Sequence, residues 1–370
     1  MSAHVDHEAF SQATIGGGRS EPIEARRSLR DLARCIPTEC YDRPTAKGLL
    51  YLGRDVGLYA VAIVLLLSSD SALALGAGWL LASFTIAGLF VIGHDAAHGS
   101  LFESARLNGV AGRVAMLPSL HGLSVWAYGH NRVHHAFPGC ESLDFVWHPV
   151  TLAEYRGMPW WGRLRHRIEW SWLGAGFYYV RAVWWGRLVR LEAPPGMQDS
   201  FRRDRVVVLA YLVTISAAVG GIGWWMQAGT LAGAAWTWVK VLLVPWLVWN
   251  CLIGWAVYVQ HIAPDMPWHS RRRWRKFTGQ VETTTNLRLP SWLNFFWHNI
   301  FLHVPHHVDP RIPFYNLPAA AAALAHGHPA VDGSEEYRFG DYLETTRRCK
   351  LYDFESEAWT DYRGVSSAPR

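Results

Sequence analysis

The sequence predicts an all-α integral membrane protein, with four transmembrane helices in two hairpins under a cytoplasmic helical cap that carries a His-rich di-metal site. Three observations predict it. The apolar residues fall into two long blocks, Arg and Lys avoid the middles of both, and ten of the 18 histidines gather in groups just outside them.

The blocks come first. The chain has 370 residues, 50% of them hydrophobic and only 18% charged, with 21 tryptophans, a balance too apolar for an ordinary soluble enzyme. Residues 56–93 hold one charged residue, Asp70, and residues 206–259 hold one, Lys240. At about 20 residues per crossing of the hydrocarbon, each block is long enough for two passes. Spans are expected at about 52–69, 73–93, 206–226 and 236–258, with turns near 68–71 and 227–230, where short polar or glycine-containing stretches interrupt the runs. Asp70 then sits in a turn, and Lys240 near the start of the fourth span, its stem long enough to reach the headgroups.

Orientation follows from charge. The two turns carry no Arg or Lys, whereas the N-terminal segment, residues 94–204 and the stretch after 259 are rich in arginine. The positive-inside rule therefore puts all three, and both termini, on the cytoplasmic side. The first 50 residues show no apolar core ending in a small-residue cleavage site, so no removed signal peptide is expected. Five scattered cysteines without a C-x-x-C pair are read as free thiols in a reducing compartment. The net charge of +5 does not call for nucleic acid, because arginines interleave with tryptophans in WWGRLRHRIEWSW (160–172) and VRAVWWGRLVR (180–190). That pattern predicts amphipathic segments in the headgroup layer. The domain reading is a cytoplasmic N-terminal segment 1–49, a membrane domain 50–317 and a C-terminal cytoplasmic tail 318–370, the last an amphipathic helix packed on the cap.

The histidine groups are HDAAH (His94, His98), HNRVHH (His130, His134, His135), His261 directly after the fourth span, and HNIFLHVPHH (His298, His303, His306, His307). On a helix, positions i and i+4 share a face, so His94 with His98 and His130 with His134 can reach one metal or two adjacent ones. His135 and His307 lie about 100° around from their predecessors, toward a neighbouring metal. A helix carrying His306 and His307 is expected to begin near Pro305, which has no N–H to lose in a first turn, with His303 on the preceding turn. Eight to ten imidazoles are too many for one zinc, and H-E-x-x-H is absent. The ligand number favours a dinuclear site of an imidazole-binding metal. Asp95 and Asp144 are candidates to orient ligand rings through their free N–H. The remaining histidines, His4, His7, His121, His148, His166, His269, His326 and His328, share no spacing and are read as surface or hydrogen-bonded groups.

The three boxes HDAAH, HNRVHH and HVPHH around two apolar blocks resemble the integral-membrane fatty acid desaturase and hydroxylase superfamily. YYVRAVWW, YVQHIAPDMPWH and HNIFLHVPHH are most similar to its acyl-lipid desaturases, over about residues 49–317. The resemblance implies a non-haem di-iron centre held by His94, His98, His130, His134, His135, His261, His303, His306 and His307, with His298 either a ligand or a neighbour of one. It implies O2 as co-substrate, two electrons from an external donor, a lipid acyl chain as substrate and membrane lipids as surroundings. With no HPGG haem motif in the chain, the donor would be a separate carrier of ferredoxin or cytochrome b5 type. A hydroxylase or ketolase of the same superfamily, acting on acyl, alkane or carotenoid substrates, is the alternative, and a membrane metal transporter or sensor a remote one, since the spans lack mid-bilayer ligands. The second box departs from many plant relatives, with three residues before its doublet rather than two.

Overall fold

In the computed structural model, residues 28–328, 331 and 334–367 are described; the expectations for His4, His7 and most of the segment 1–49 lie outside them. Four helices are long and apolar enough to cross a membrane: α1 (Thr45–Ser68), α2 (Ala72–His98), α3 (Gln198–Met226) and α4 (Leu231–His261). Two of them have a side-chain cap that fixes where they start. The Ser71 hydroxyl accepts the Ala74 N–H ahead of α2, and the Thr230 hydroxyl accepts the Gly233 N–H ahead of α4, satisfying amides that a helix start leaves open. α2 ends at Gly99, whose φ of +71° lets its N–H turn back to the Ala96 and Asp95 carbonyls.

α1 packs on α2, and α3 on the first part of α4, while α4 also packs on α2. The most apolar stretch of α2 is 67% buried, against 17% for α1 and 11% for α3. α2 is therefore the central helix, and α1 and α3 present apolar side chains such as Val61, Val64, Leu209 and Val213 outward. A satellite core of Ala62, Leu66, Leu75, Ala82, Val219 and Val241 joins all four helices near the turns. The main core lies at the other end, between α2, α4 and the remaining elements.

α4 starts earlier than the expected 236, at Leu231, and this changes the setting of Lys240. The side chain is buried and its Nζ donates to Asp70 Oδ1 at 2.7 Å, with Trp236 Nε1 on the same oxygen at 2.8 Å. The stem thus reaches the α1–α2 turn, pairing the two lone charges of the apolar blocks. A π turn over Val239–Leu243 precedes Pro245. Wide turns of this kind let a membrane helix absorb a proline's missing N–H. Side chains of α2 bond to carbonyls here: Trp79 Nε1 donates to Lys240 O at 2.9 Å and Ser83 Oγ to Pro245 O at 3.1 Å.

The rest is mostly short helices, but not wholly. Strand β1 (Asn286–Arg288) pairs in parallel with β2 (Ser334–Glu336), and β3 (Leu351–Asp353) antiparallel with β4 (Ala358–Thr360). The segment after 317 is more than one amphipathic helix. Helix Phe339–Arg348 leads into the β3–β4 hairpin, whose Tyr352 hydroxyl accepts the Trp268 N–H at 2.8 Å and whose Trp359 Nε1 donates to Met266 O at 3.0 Å. The helix Trp160–Glu169 and the stretch after it expose Trp160, Trp161, Leu164, Ile168, Trp172, Leu173 and Phe177, while Trp170 is buried. The tryptophans thus divide between an outward apolar stripe and the core.

One close approach is decisive for α4. A Cβ on Gly254 would sit 2.2 Å from the Ala175 carbonyl oxygen, whereas a Cβ on Gly76 would meet nothing within 4 Å. Gly254→Ala is expected to lower the thermal midpoint of detergent-solubilised protein by several degrees, the cost of overpacking being about 1–3 kcal/mol; Gly76→Ala should leave the midpoint unchanged or raise it. Equal midpoints for the two variants would contradict this packing.

Candidate metal centre

The histidines of HDAAH end α2, and His261 ends α4, so the packing of the two central helices brings three imidazoles together. The second box follows a short helix, Leu123–Ala127, as a π turn over Tyr128–His134 in which the His135 N–H bonds to the His130 carbonyl at 2.8 Å. This changes the expected geometry. An i→i+5 turn aligns His130 with His135 rather than with His134, and the three residues between His130 and the doublet supply the extra length. The third box is a helix from His303 to Val308, two residues longer at its start than expected, with Pro305 in the first turn where amide hydrogens have no helical partner. Asn286 Oδ1 accepts the Val304 N–H at 3.0 Å at its start.

Nine histidines form two groups. His94, His98, His130, His135 and His306 make one, and His134, His261, His303 and His307 the other, with the available nitrogens of each group within 4.8 Å of one another. Each doublet is split between the groups, His134 from His135 and His306 from His307, as the 100° offset between neighbours predicts. All but His98 and His130, which are half-buried, are buried.

In five of the nine rings one nitrogen faces the group while the other is held from behind. His94 Nδ1 donates to Asp95 Oδ1 at 2.9 Å, and His134 Nδ1 to Asp144 Oδ1 at 3.1 Å. His261 Nδ1 donates to Thr283 O at 3.0 Å, His303 Nδ1 to Ile300 O at 3.1 Å, and His307 Nδ1 to Gln280 Oε1 at 2.9 Å. Such partners fix the tautomer and leave Nε2 as a lone-pair donor toward the centre. The two carboxylates are themselves anchored. Asp95 Oδ2 accepts the Phe314 N–H at 2.6 Å, and Asp144 accepts the Gly139 and Val146 N–H groups at 2.9 and 3.0 Å. Trp126 stacks on the His130 ring with centroids 4.2 Å apart.

The residues present fit a metal pair. The Nε2 atoms of His94, His98 and His307 are buried without a hydrogen-bond partner, a state that costs free energy unless something binds them. His135 Nε2 lies 3.0 Å from both His130 Nε2 and His306 Nε2. Two nitrogens held about 2.1 Å from one metal ion at roughly right angles are about 3.0 Å apart. Burial first, and the neighbouring imidazoles after it, push His130, His135, His303, His306 and His307 well below the usual histidine range. These rings are neutral near pH 7, the form that coordinates.

His298 is not in either group. Its Nε2 donates to Asp55 Oδ2 at 2.6 Å, Arg54 Nε holds the other Asp55 oxygen at 2.8 Å, and the ring packs on Phe314 with centroids 4.5 Å apart. Its backbone, with φ +49°, forms the left-handed end of the helix Ser291–Trp297. It neighbours the centre through Phe314, whose N–H is held by Asp95. Sequence reasoning missed Asp55, just ahead of the first apolar block, and Gln280. Gln280 carries the His307 ring on its Oε1, and its Nε2 donates to the His135 carbonyl. A single glutamine after an arginine run has no spacing that marks it; only its burial does. Among the other histidines, His121 lies buried between the Ser119 carbonyl, 2.8 Å from Nδ1, and the Tyr179 hydroxyl, 3.1 Å from Nε2, and His269 pairs with Glu357 at 3.1 Å.

An apolar cavity ends on both groups. It is lined by His94 and His130 from one, by His134, His261 and His303 from the other, and by Phe90, Val91, Trp126, Val183, Ile253 and Ala256 among others.

The fold and the centre define a helical membrane protein with a histidine-rich metal site, and the comparisons with known proteins give its family. The family model described as fatty acid desaturase matches residues 70–335, and the chain belongs to that family; it is an oxidoreductase. It is 28% identical over 340 residues to the omega-6 fatty acid desaturase, chloroplastic, of Glycine max, covering 90% of this chain and 76% of that relative. It is 27% identical to an sn-1 oleoyl-lipid 12-desaturase of Picosynechococcus, over 88% of this chain and 90% of the relative. A protein of the same description from Anabaena variabilis is 26% identical, over 90% and 93%.

Two expectations distinguish the residues. His306→Ala should lose bound metal, and His298→Ala should keep the full complement while melting at lower temperature; metal analysis that shows the reverse would redraw the ligand set. Gln280→Leu should weaken metal retention about 10–100-fold, the usual cost of losing an outer hydrogen bond to a ligand, as followed by chelator competition; an unchanged chelator midpoint would remove Gln280 from the centre.

Proposed function

We propose that this chain is an O2-dependent acyl-lipid desaturase that binds two irons through His94, His98, His130, His135 and His306 on one side and His134, His261, His303 and His307 on the other. One observation carries the reading: a single apolar cavity ends on both histidine groups, so an aliphatic chain lying in it brings a methylene to both metals at once. The named relatives favour an oleoyl chain of a glycerolipid, desaturated at the 12 position.

Iron, when bound, supplies the O2 chemistry needed to take hydrogen from an unactivated C–H bond. The chain's own residues do the rest. Asp95, Asp144, Gln280 and the Thr283 and Ile300 carbonyls hold the ligand rings in one orientation. Phe90, Val91, Ile253 and Ala256 exclude water from the reacting carbon and fix which methylene lies beside the histidines. The overall change converts –CH2–CH2– with O2, two electrons and two protons into –CH=CH– and two waters. The two electrons come from a separate carrier.

In this reading α1–α2 and α3–α4 are two membrane hairpins, the outward apolar faces of α1 and α3 meet lipid, and the centre and both termini lie on the cytoplasmic side. The basic residues of the 94–204 and 262–370 stretches, set against hairpin turns without Arg or Lys, support it. The exposed tryptophans of residues 160–185 would rest in the headgroup layer. Residues 50–317 form the desaturase domain, and the tail from 318 braces the cap.

The test is expression in a host whose lipids contain only saturated and monounsaturated chains, followed by mass spectrometry. The expected product is an oleoyl-derived chain lighter by two hydrogens, with the new double bond at carbon 12. A gain of one oxygen would make the protein a hydroxylase instead.

A further inference from the structure

Residues 271–276 read RRRWRK, five basic side chains in six positions. Arg271, Arg272, Arg273, Arg275 and Lys276 are all exposed, and Trp274 between them is half-buried. Among the described residues only Arg273 of these five is ion-paired with an acid, Glu357 at 3.7 Å, and Glu357 is shared with His269. Five cations gathered on one short stretch with a single partner repel one another, an arrangement that favours an external anionic surface.

The patch is tied to the metal centre by short connections. Lys276 begins the helix Lys276–Val281, and one turn later Gln280 holds the His307 ring and the His135 carbonyl. Trp274 turns inward: its Nε1 donates to Pro138 O at 2.9 Å and its ring packs on Phe137 at 5.4 Å. Phe137 follows the second box by two residues, and its N–H bonds back to the His134 carbonyl at 3.1 Å. Two covalent and hydrogen-bonded routes therefore run from this surface to both histidine groups, each within a few residues.

A lipid surface is a poorer fit. The membrane-facing stretch 160–185 mixes arginine with exposed Trp, Leu and Phe, whereas residues 248–291 expose no large apolar side chain among those described. A charged, non-greasy patch suits protein docking steered by charge. We propose that residues 271–276 are the docking surface for a soluble, acidic one-electron carrier protein, and that its electrons enter the centre beside Trp274 and Gln280. This rests on the desaturase reading. Two reduced carriers each give one electron; the acyl chain gives two electrons and two protons as its C=C forms; with two protons from solvent, O2 takes all four electrons and leaves as two waters.

The experiment uses full-length protein in nanodiscs of uncharged lipid, an acidic [2Fe–2S] ferredoxin as carrier, and photoreduced 5-deazariboflavin as an uncharged small reductant that needs no docking. Arg271→Glu/Arg272→Glu is expected to raise the KM for ferredoxin about tenfold or more, with metal content and deazaflavin-driven product unchanged. Arg338→Glu/Arg347→Glu, an equal charge change elsewhere on the exposed surface, should leave that KM unchanged. In unmodified protein the KM should rise with ionic strength between about 0.05 and 0.3 M, as screening shortens the reach of the charges. An unaltered KM in the patch variant, an equal rise in the control variant, a loss seen only in nanodiscs of anionic lipid, or a KM indifferent to salt would each overturn the proposal. If deazaflavin-driven product also falls in the patch variant, the salt series on unmodified protein decides. Absence of unsaturated product from unmodified protein with both reductants would instead defeat the desaturase reading.

Discussion

Nine imidazoles converging from four points of the chain, with no carboxylate among the converging atoms, set the terms for the rest of the structure. Buried imidazole nitrogens crowded to 3.0 Å of one another, with the Nε2 atoms of His94, His98 and His307 left without partners, would be a liability in an ordinary core. They are tolerable where a cation takes their lone pairs, and the surroundings are arranged for that outcome. Every ring whose Nδ1 is anchored from behind presents Nε2 inward, and the anchors are two carboxylates, one amide and two carbonyls held by the backbone around them. The protein spends its polar groups on orientation, and leaves the cavity above the metals apolar.

The long helices serve this centre. α2 and α4 end where the ligands begin, so their mutual packing fixes His94, His98 and His261 relative to one another, and α1 and α3 flank them with largely exposed apolar faces. At the opposite end Lys240, Asp70 and Trp236 tie α4 to the α1–α2 turn. A residue that looks like a stray charge in an apolar block is thus a fastening between helices. The C-terminal hairpin contributes in the same way from the other side, bonding Trp268 and Met266 in the stretch that follows α4.

Much of this was legible in the sequence because it rests on composition and period. The apolar blocks pointed to four long helices, although α1 and α3 begin at Thr45 and Gln198, ahead of the expected 52 and 206, and the 100° offset between adjacent residues foresaw that each histidine doublet is split between two groups. What the sequence hid depends on local backbone state or on distant partners. The π turn that pairs His130 with His135 looks like any helix until its hydrogen bonds are seen. The same holds for His298: its spacing fits a ligand, but a left-handed turn points it at Asp55, 243 residues away in sequence. The roles of Gln280 and of Lys240 were hidden for that reason too, since each depends on a partner brought near only by the fold. The small strands are three residues each, too short for any alternation to show.

The central claim is that the nine histidines hold two irons, and it is tested most directly by X-ray absorption at the iron edge on anaerobically reconstituted protein, with iron counted in the same sample. The account predicts two irons per chain, each surrounded by light-atom neighbours at about 2.1 Å with the outer-shell scattering of imidazole rings. One iron or none per chain, or a first shell containing sulfur or lacking the imidazole signature, would contradict it.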